Sequence, residues 1–86
     1  MAARYDLLIK RSAEKDLKKM GDADHDSVVK RLLSLVDNPR PVGSVNLSGH
    51  DVHRLRIGNY RALYTVDDQA RTIESISVGH RKEIYR

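Results

Sequence analysis

The sequence predicts an α+β fold in which two helices pack on one face of a mostly antiparallel sheet. Three observations lead there. An alternating N-terminal segment is followed by two helical patterns and then by three alternating runs; Gly58-Asn59 separates the first two of those runs; and the second helix carries two adjacent apolar rows.

Residues 3–10 set Tyr5, Leu7 and Ile9 on one side of an extended segment and Arg4, Asp6 and Lys10 on the other, the pattern of a first strand. Ser12 offers an N-cap oxygen to a first helix, Ala13, Leu17 and Met20 recur at helical spacing, and Gly21 supplies its stop. The acidic stretch Asp22 to Asp26 suits the positive end of a second helix. In that helix Val28, Leu32 and Leu35 run beside Val29, Leu33 and Val36, and Asn38-Pro39 ends it because the residue before proline is pushed out of the helical region. Residues 39–49 hold two Pro, two Gly and several Ser and Asn, and read as a connector anchored by Leu47. Strands follow at Val52 to Ile57, Tyr60 to Val66 and Thr72 to Val78, the first two joined by a two-residue turn in which Gly58 takes a positive φ and Asn59 tolerates one.

A chain of 86 residues supports one domain, residues 1–86, since it buries only about two-thirds of its unfolded surface. Its longest apolar runs are a few residues, far short of the roughly 20 that span a bilayer. The N-terminus alternates polar and apolar residues where a signal peptide has a continuous apolar stretch, so a cytoplasmic protein is expected. Without cysteine there is no disulfide, thiol nucleophile or cysteine-type zinc site. Acids and histidines do not cluster at ligand spacing, so neither a metal nor another cofactor is expected. Sixteen Lys and Arg against 12 Asp and Glu, with a pI near 9.6, suit a polyanionic partner.

The Gly58-Asn59 turn fixes a register: Ile57 opposite Tyr60, Arg56 opposite Arg61, Leu55 opposite Ala62. One face then collects His53, Leu55, Ile57, Tyr60, Ala62, Tyr64 and Val66. The other collects Val52, Arg54, Arg56, Arg61, Leu63 and Thr65. Arginines directly opposite each other repel, whereas an opposite-charge pair would contribute roughly 0.2 to 1 kcal/mol, and no acid lies between Val52 and Val66. An anion on this face removes the repulsion. A solvated charged face is the plain alternative. Past Gly79 come His80, Arg81, Lys82, Tyr85 and Arg86: a titratable group, cations for phosphate and a ring for stacking, or else a solvated tail.

The two stretches Arg54-Leu55-Arg56-Ile57-Gly58-Asn59-Tyr60-Arg61-Ala62-Leu63-Tyr64 and Val78-Gly79-His80-Arg81-Lys82-Glu83-Ile84-Tyr85-Arg86 resemble the signature segments of the RelE/ParE superfamily of bacterial toxins. The resemblance extends over nearly the whole chain, and the C-terminal segment is more similar to the RelE branch than to the gyrase-poisoning ParE branch. It implies a RelE-like fold and a toxin of a type II toxin-antitoxin pair, with an antitoxin as partner. The RelE branch further implies a ribosome-dependent endoribonuclease (mRNA interferase) that cleaves mRNA in the ribosomal A site, by attack of the internal 2′-hydroxyl, and so inhibits translation.

By the same resemblance Arg61 matches an arginine that binds the scissile phosphate. Arg81 matches one assigned to phosphate stabilisation or leaving-group protonation, and Tyr85 matches the tyrosine linked to activity. Arg54 stands where well-known members carry a lysine, and Arg56, Lys82 and Arg86 complete an RNA-binding set. Val52 stands where those members carry another lysine, which leaves proton transfer without an obvious owner, since arginine transfers protons poorly. His80 is the candidate, with His50 next. His53 is excluded because it shares the core-facing row, and His25 reads as a surface residue. Two other readings stand beside this one: a ParE-like inhibitor of DNA gyrase without chemistry of its own, and a degenerate member that only binds its antitoxin.

Overall fold

The computed structural model describes residues 4–47 and 51–80. The elements run β1 (Asp6–Ile9), α1 (Arg11–Lys18), α2 (Asp22–Ser34), β2 (Ser44–Asn46), β3 (Val52–Ile57), β4 (Tyr60–Asp67) and β5 (Thr72–His80). The strands form one sheet in the order β1-β5-β4-β3-β2, antiparallel throughout except that β1 runs parallel to β5. Both helices cover one face, giving the α+β architecture that the sequence predicts.

The core is assembled from the patterns that predicted it. Leu17 of α1, Val28 and Leu32 of α2 and Leu35 just beyond it meet Leu55, Ala62, Tyr64, Val66, Ile73 and Val78 of the sheet. Of the two apolar rows on α2, the row with Val28, Leu32 and Leu35 is buried; Val29 and Val36 are half-buried and Leu33 is 55% exposed. Tyr64 is fully buried, yet its hydroxyl donates to the Pro39 carbonyl at 2.7 Å, so the ring fills the core without stranding a polar atom.

Several local expectations change. Ser12 is not an N-cap: α1 starts at Arg11 because Lys10 is still bound to the sheet, its N–H donating to the Ser75 carbonyl at 2.9 Å. Gly21 does not end α1, which closes at Lys18 and Lys19. It caps the start of α2, with φ −66° and ψ 159°, and accepts the His25 N–H at 2.9 Å. The last bond of α2 is the Asn38 N–H to the Ser34 carbonyl at 3.4 Å, and the chain leaves the helix at Asn38-Pro39. Leu35, Val36 and Asp37 donate three residues back, a tightened last turn that keeps Leu35 in the core.

The connector also contains a strand. β2 pairs antiparallel with β3, Val45 opposite Arg54, and Gly43 at φ 100° supplies the left-handed turn that aims it there. β5 runs two residues past the expected end and carries a β-bulge: Tyr64 faces Ser75 while Leu63 faces Ser77, leaving Ile76 as the extra residue. The bulge shifts the alternation by one, so Ile73 and Ser75 on one side of it and Val78 on the other all turn to the helices. Among the described residues no helix is long and apolar enough to cross a membrane.

Candidate functional site

The site is built on the face of the sheet away from the helices, and the β3–β4 turn sets its geometry. Gly58 takes φ 59°, the two-residue loop closes, and Ile57 pairs with Tyr60, Arg56 with Arg61 and Arg54 with Leu63, as the sequence predicts. Cross-strand partners share a face, so the registers lay out rows across it. Nearest the turn is Arg56–Arg61–Gly79. Next comes Val45–Arg54–Leu63–Ser77, then Val52–Thr65–Glu74–Leu8, and last Asp67–Thr72–Asp6.

The face is therefore graded in charge. Three arginines occupy the turn end, an apolar and hydroxyl belt crosses the middle, and carboxylates occupy the far end. Arg56 is exposed while Arg54 and Arg61 are half-buried, with Nε and Nη1 of Arg61 shielded from solvent. Opposite Arg61, β5 offers Gly79, which puts no side chain beside it. Such a surface can bind a phosphate: three cations gathered at one end, with no carboxylate in the two rows that carry them.

The acidic end is held rigid. Asp68, just past β4, accepts from both guanidinium nitrogens of Arg40 at 3.2 and 2.9 Å and from the Tyr5 hydroxyl at 2.6 Å. Those bonds hold its carboxyl below the usual carboxylate range and push the Tyr5 hydroxyl up. They also tie the connector to the β4–β5 turn.

The structure corrects the placement of His80. It pairs with Tyr60, so its side chain belongs to the helix side of the sheet and not to the arginine row, where Gly79 stands instead. The parity shift at the Ile76 bulge is the cause. The His80 ring packs edge-on against Tyr60, with centroids 5.9 Å apart and planes at 73°, and the Tyr60 hydroxyl donates to Asp24 at 3.0 Å. A groove of about 280 Å³ opens there, lined by Asp16, Lys19, Met20, Tyr60, Val78 and His80.

His53 lies where its parity puts it, buried and stacked on Tyr64 at 5.3 Å between centroids. His25 is half-exposed beside Asp26 at the start of α2. Arg81, Lys82, Tyr85 and Arg86 lie outside the described residues, as does His50. Among the described residues no three His, Asp or Glu side chains come together as metal ligands. Two acids passed over in the sequence matter to this end of the sheet, Asp24 through Tyr60 and Asp16 through the Val78 N–H. The Ser12/Asp16 spacing of four, beside buried Ala13 and Leu17, was the signal for the second.

Residues 7–85 match the family described as ParE toxin of type II toxin-antitoxin system, parDE. No curated protein matches the sequence at a significant level. Solved structures do match. A chain of the RelBE2 toxin-antitoxin complex from Mycobacterium tuberculosis is similar at a TM-score of 0.82 and 26% identity, over 94% of this chain and 95% of that one. The isolated E. coli RelE toxin gives 0.77 and 29%, over 94% and 90%. A chain of the intact E. coli RelBE toxin-antitoxin complex gives 0.76 and 28%, over 88% and 95%.

Proposed function

The chain belongs to the RelE/ParE superfamily of type II toxin-antitoxin toxins, and from that premise we propose that it is an endoribonuclease of the RelE kind, cleaving mRNA on the ribosome. One observation carries the reading: Arg54, Arg56 and Arg61 are gathered at one end of an open sheet face, beside the bare Gly79 and at the root of the segment holding Arg81 and Tyr85.

In the proposed reaction the 2′-hydroxyl attacks the adjacent phosphorus. The new bond joins that oxygen to phosphorus, the bond to the 5′-oxygen breaks, a base takes the 2′ proton, and an acid returns one to the departing 5′-oxygen. Negative charge accumulates on the phosphoryl oxygens midway, and guanidinium groups fixed in place stabilise it without reorganising. Arg61 binds the scissile phosphate, with Arg54 and Arg56 on the flanking backbone. Arg81, Lys82 and Arg86 add to the cationic surface, and Tyr85 stacks on a base. Phosphate stabilisation is the task these residues are suited to. Since His80 is turned to the helix side, it adds less than Arg61 does, and His80→Gln measures what it adds.

An antitoxin is the expected partner, as two of the similar structures above are toxin-antitoxin complexes. An acidic segment suits the arginine end, and binding only the folded toxin raises its melting temperature by mass action. The match to the ParE description favours a second reading, gyrase inhibition without chemistry. Primer extension on a translated reporter mRNA, after induction of the wild type and of Arg61→Ala, separates the two. Discrete breaks within codons that vanish in the variant support the nuclease; intact mRNA with altered DNA supercoiling overturns it in favour of gyrase.

A further inference from the structure

The parallel ladder between β1 and β5 ends early. It runs from Asp6 opposite Thr72 to Ile9 opposite Ser75, and Lys10 closes it by donating to the Ser75 carbonyl. The bulge follows at once, and from Ile76 to His80 the strand has β4 on one side and, among the described residues, no strand on the other. A bare edge there would leave its backbone groups to water. Helix α1 lies along it instead. The Ser12 hydroxyl donates to the Ile76 carbonyl, and the Asp16 carboxylate accepts the Val78 N–H at 2.9 Å.

The spacing explains why a helix can do this. Four residues of helix rise about 6 Å, and two residues of strand rise about 6.7 Å. Side chains at i and i+4 of α1 therefore meet successive outward-pointing backbone groups of β5, as a neighbouring strand would. The Asp16 bond is charge-assisted and is the stronger of the two.

We propose that Ser12 and Asp16 form a surrogate strand, and that Asp16 is a positioning residue for the toxin's site. It fixes Val78, and through it Gly79, the residue directly opposite Arg61, and the point from which the Arg81–Tyr85 segment departs. Arg61 and Gly79 meet through the backbone pairing of β4 and β5, so that end of the ladder depends on β5 keeping its register, and past the bulge the outer edge of β5 is bonded by α1. The inference deepens the reading of the arginine end as the active surface, but it makes a claim about the backbone that stands apart from the chemistry.

The test compares Asp16→Ala and Asp16→Asn with the wild type in the full chain, reading amide hydrogen exchange at Val78 together with growth arrest and single-turnover mRNA cleavage. Asp16→Ala is expected to speed exchange at Val78 about 10-fold or more while Leu32 and Ile73 keep their protection. It is expected to weaken growth arrest and the cleavage step by about 10-fold to 100-fold with little change in substrate affinity. Asp16→Asn keeps an acceptor oxygen and is expected to restore both. Unchanged exchange in Asp16→Ala overturns the surrogate strand. Faster exchange with full growth arrest overturns the positioning role, as does an Asp16→Asn protein as impaired as Asp16→Ala. Should the wild type arrest growth without cutting mRNA, the nuclease reading fails while exchange and arrest still judge Asp16. Should Asp16→Ala not fold, Ser12→Ala removes the weaker bond, and an unchanged exchange rate at Val78 in that variant counts against the pair.

Discussion

The two faces of the β3–β4 hairpin use the same backbone for opposite ends. On the helix side Leu55, Ala62 and Tyr64 are 0% exposed and join the core. On the other side Arg54, Arg56 and Arg61 have no carboxylate between Val52 and Val66 to pair with, and Arg56 stands directly across from Arg61. The first face lowers the free energy of folding; the second raises it through like-charge repulsion. A turn of two residues holds both, since a slip of one would send the arginines into the core and Leu55 into water. On the proposed reading, stability and activity are separated by parity along a single strand, and substitutions one residue apart should have effects of different kinds.

The largest effect is expected on the buried side. Leu55→Ala leaves a cavity against Leu32 and Tyr64 and should cost about 2 to 5 kcal/mol, read from chemical denaturation. Arg61→Ala relieves the cross-strand repulsion and loses the contacts of a half-buried side chain, two opposing changes, so it should alter stability by less than about 1 kcal/mol while abolishing growth arrest, measured by induction of folded protein. If Arg61→Ala proved as destabilising as Leu55→Ala, the division between the faces would not hold. A smaller effect, opposite in sign to most substitutions, is expected at Arg56. Removing it relieves the cross-strand repulsion, so Arg56→Ala should raise stability by about 0.2 to 1 kcal/mol and weaken binding to a short single-stranded RNA. A drop in the melting temperature would show that the Arg56 stem packs on the sheet and that repulsion is the lesser term.

The hairpin was legible in the sequence because a two-residue Gly-Asn turn leaves only one register, and the register assigns every side chain from Val52 to Val66 to a face. β5 was not legible to the same degree. Nothing in Glu74-Ser75-Ile76-Ser77-Val78 marks Ile76 as the inserted residue, and that insertion moves His80 off the arginine row. β2 escaped notice because three residues between Gly43 and Leu47 are too few for alternation to register, and its pairing is decided by β3. Ser12 and Gly21 were assigned by their usual local roles, while the sheet edge claimed the Ser12 hydroxyl and a three-residue gap between helices made Gly21 the start of the second. Local chemistry predicted the elements; contacts between distant segments decided the ends of the elements, where the candidate site lies.

The hairpin's core-facing row contains one side chain that titrates on the acid side of neutrality, His53, and it gives the smallest of the expected effects. His53 is 5% exposed and its ring lies on Tyr64. Burial holds its pKa below the ordinary 6.5, the Arg40 charge adds to the lowering, and Asp51 and Asp68 partly oppose it. The unfolded chain takes up this proton near pH 6.5, whereas the folded protein resists it until a lower pH. Below about 6.5 the unfolded state therefore binds more protons, and stability is lost as the pH falls from there toward the folded value; above 6.5 both states leave the ring neutral and the contribution is constant. His53→Phe keeps a ring against Tyr64 and removes the proton site, so the difference in denaturation midpoint between variant and wild type should be flat above pH 7 and move in favour of the variant between about pH 6.5 and 5. A wild type whose stability falls no faster than the variant's over that interval would mean that His53 protonates in place. A cation would then be tolerated on the core side of the hairpin, and parity alone would no longer separate its two faces.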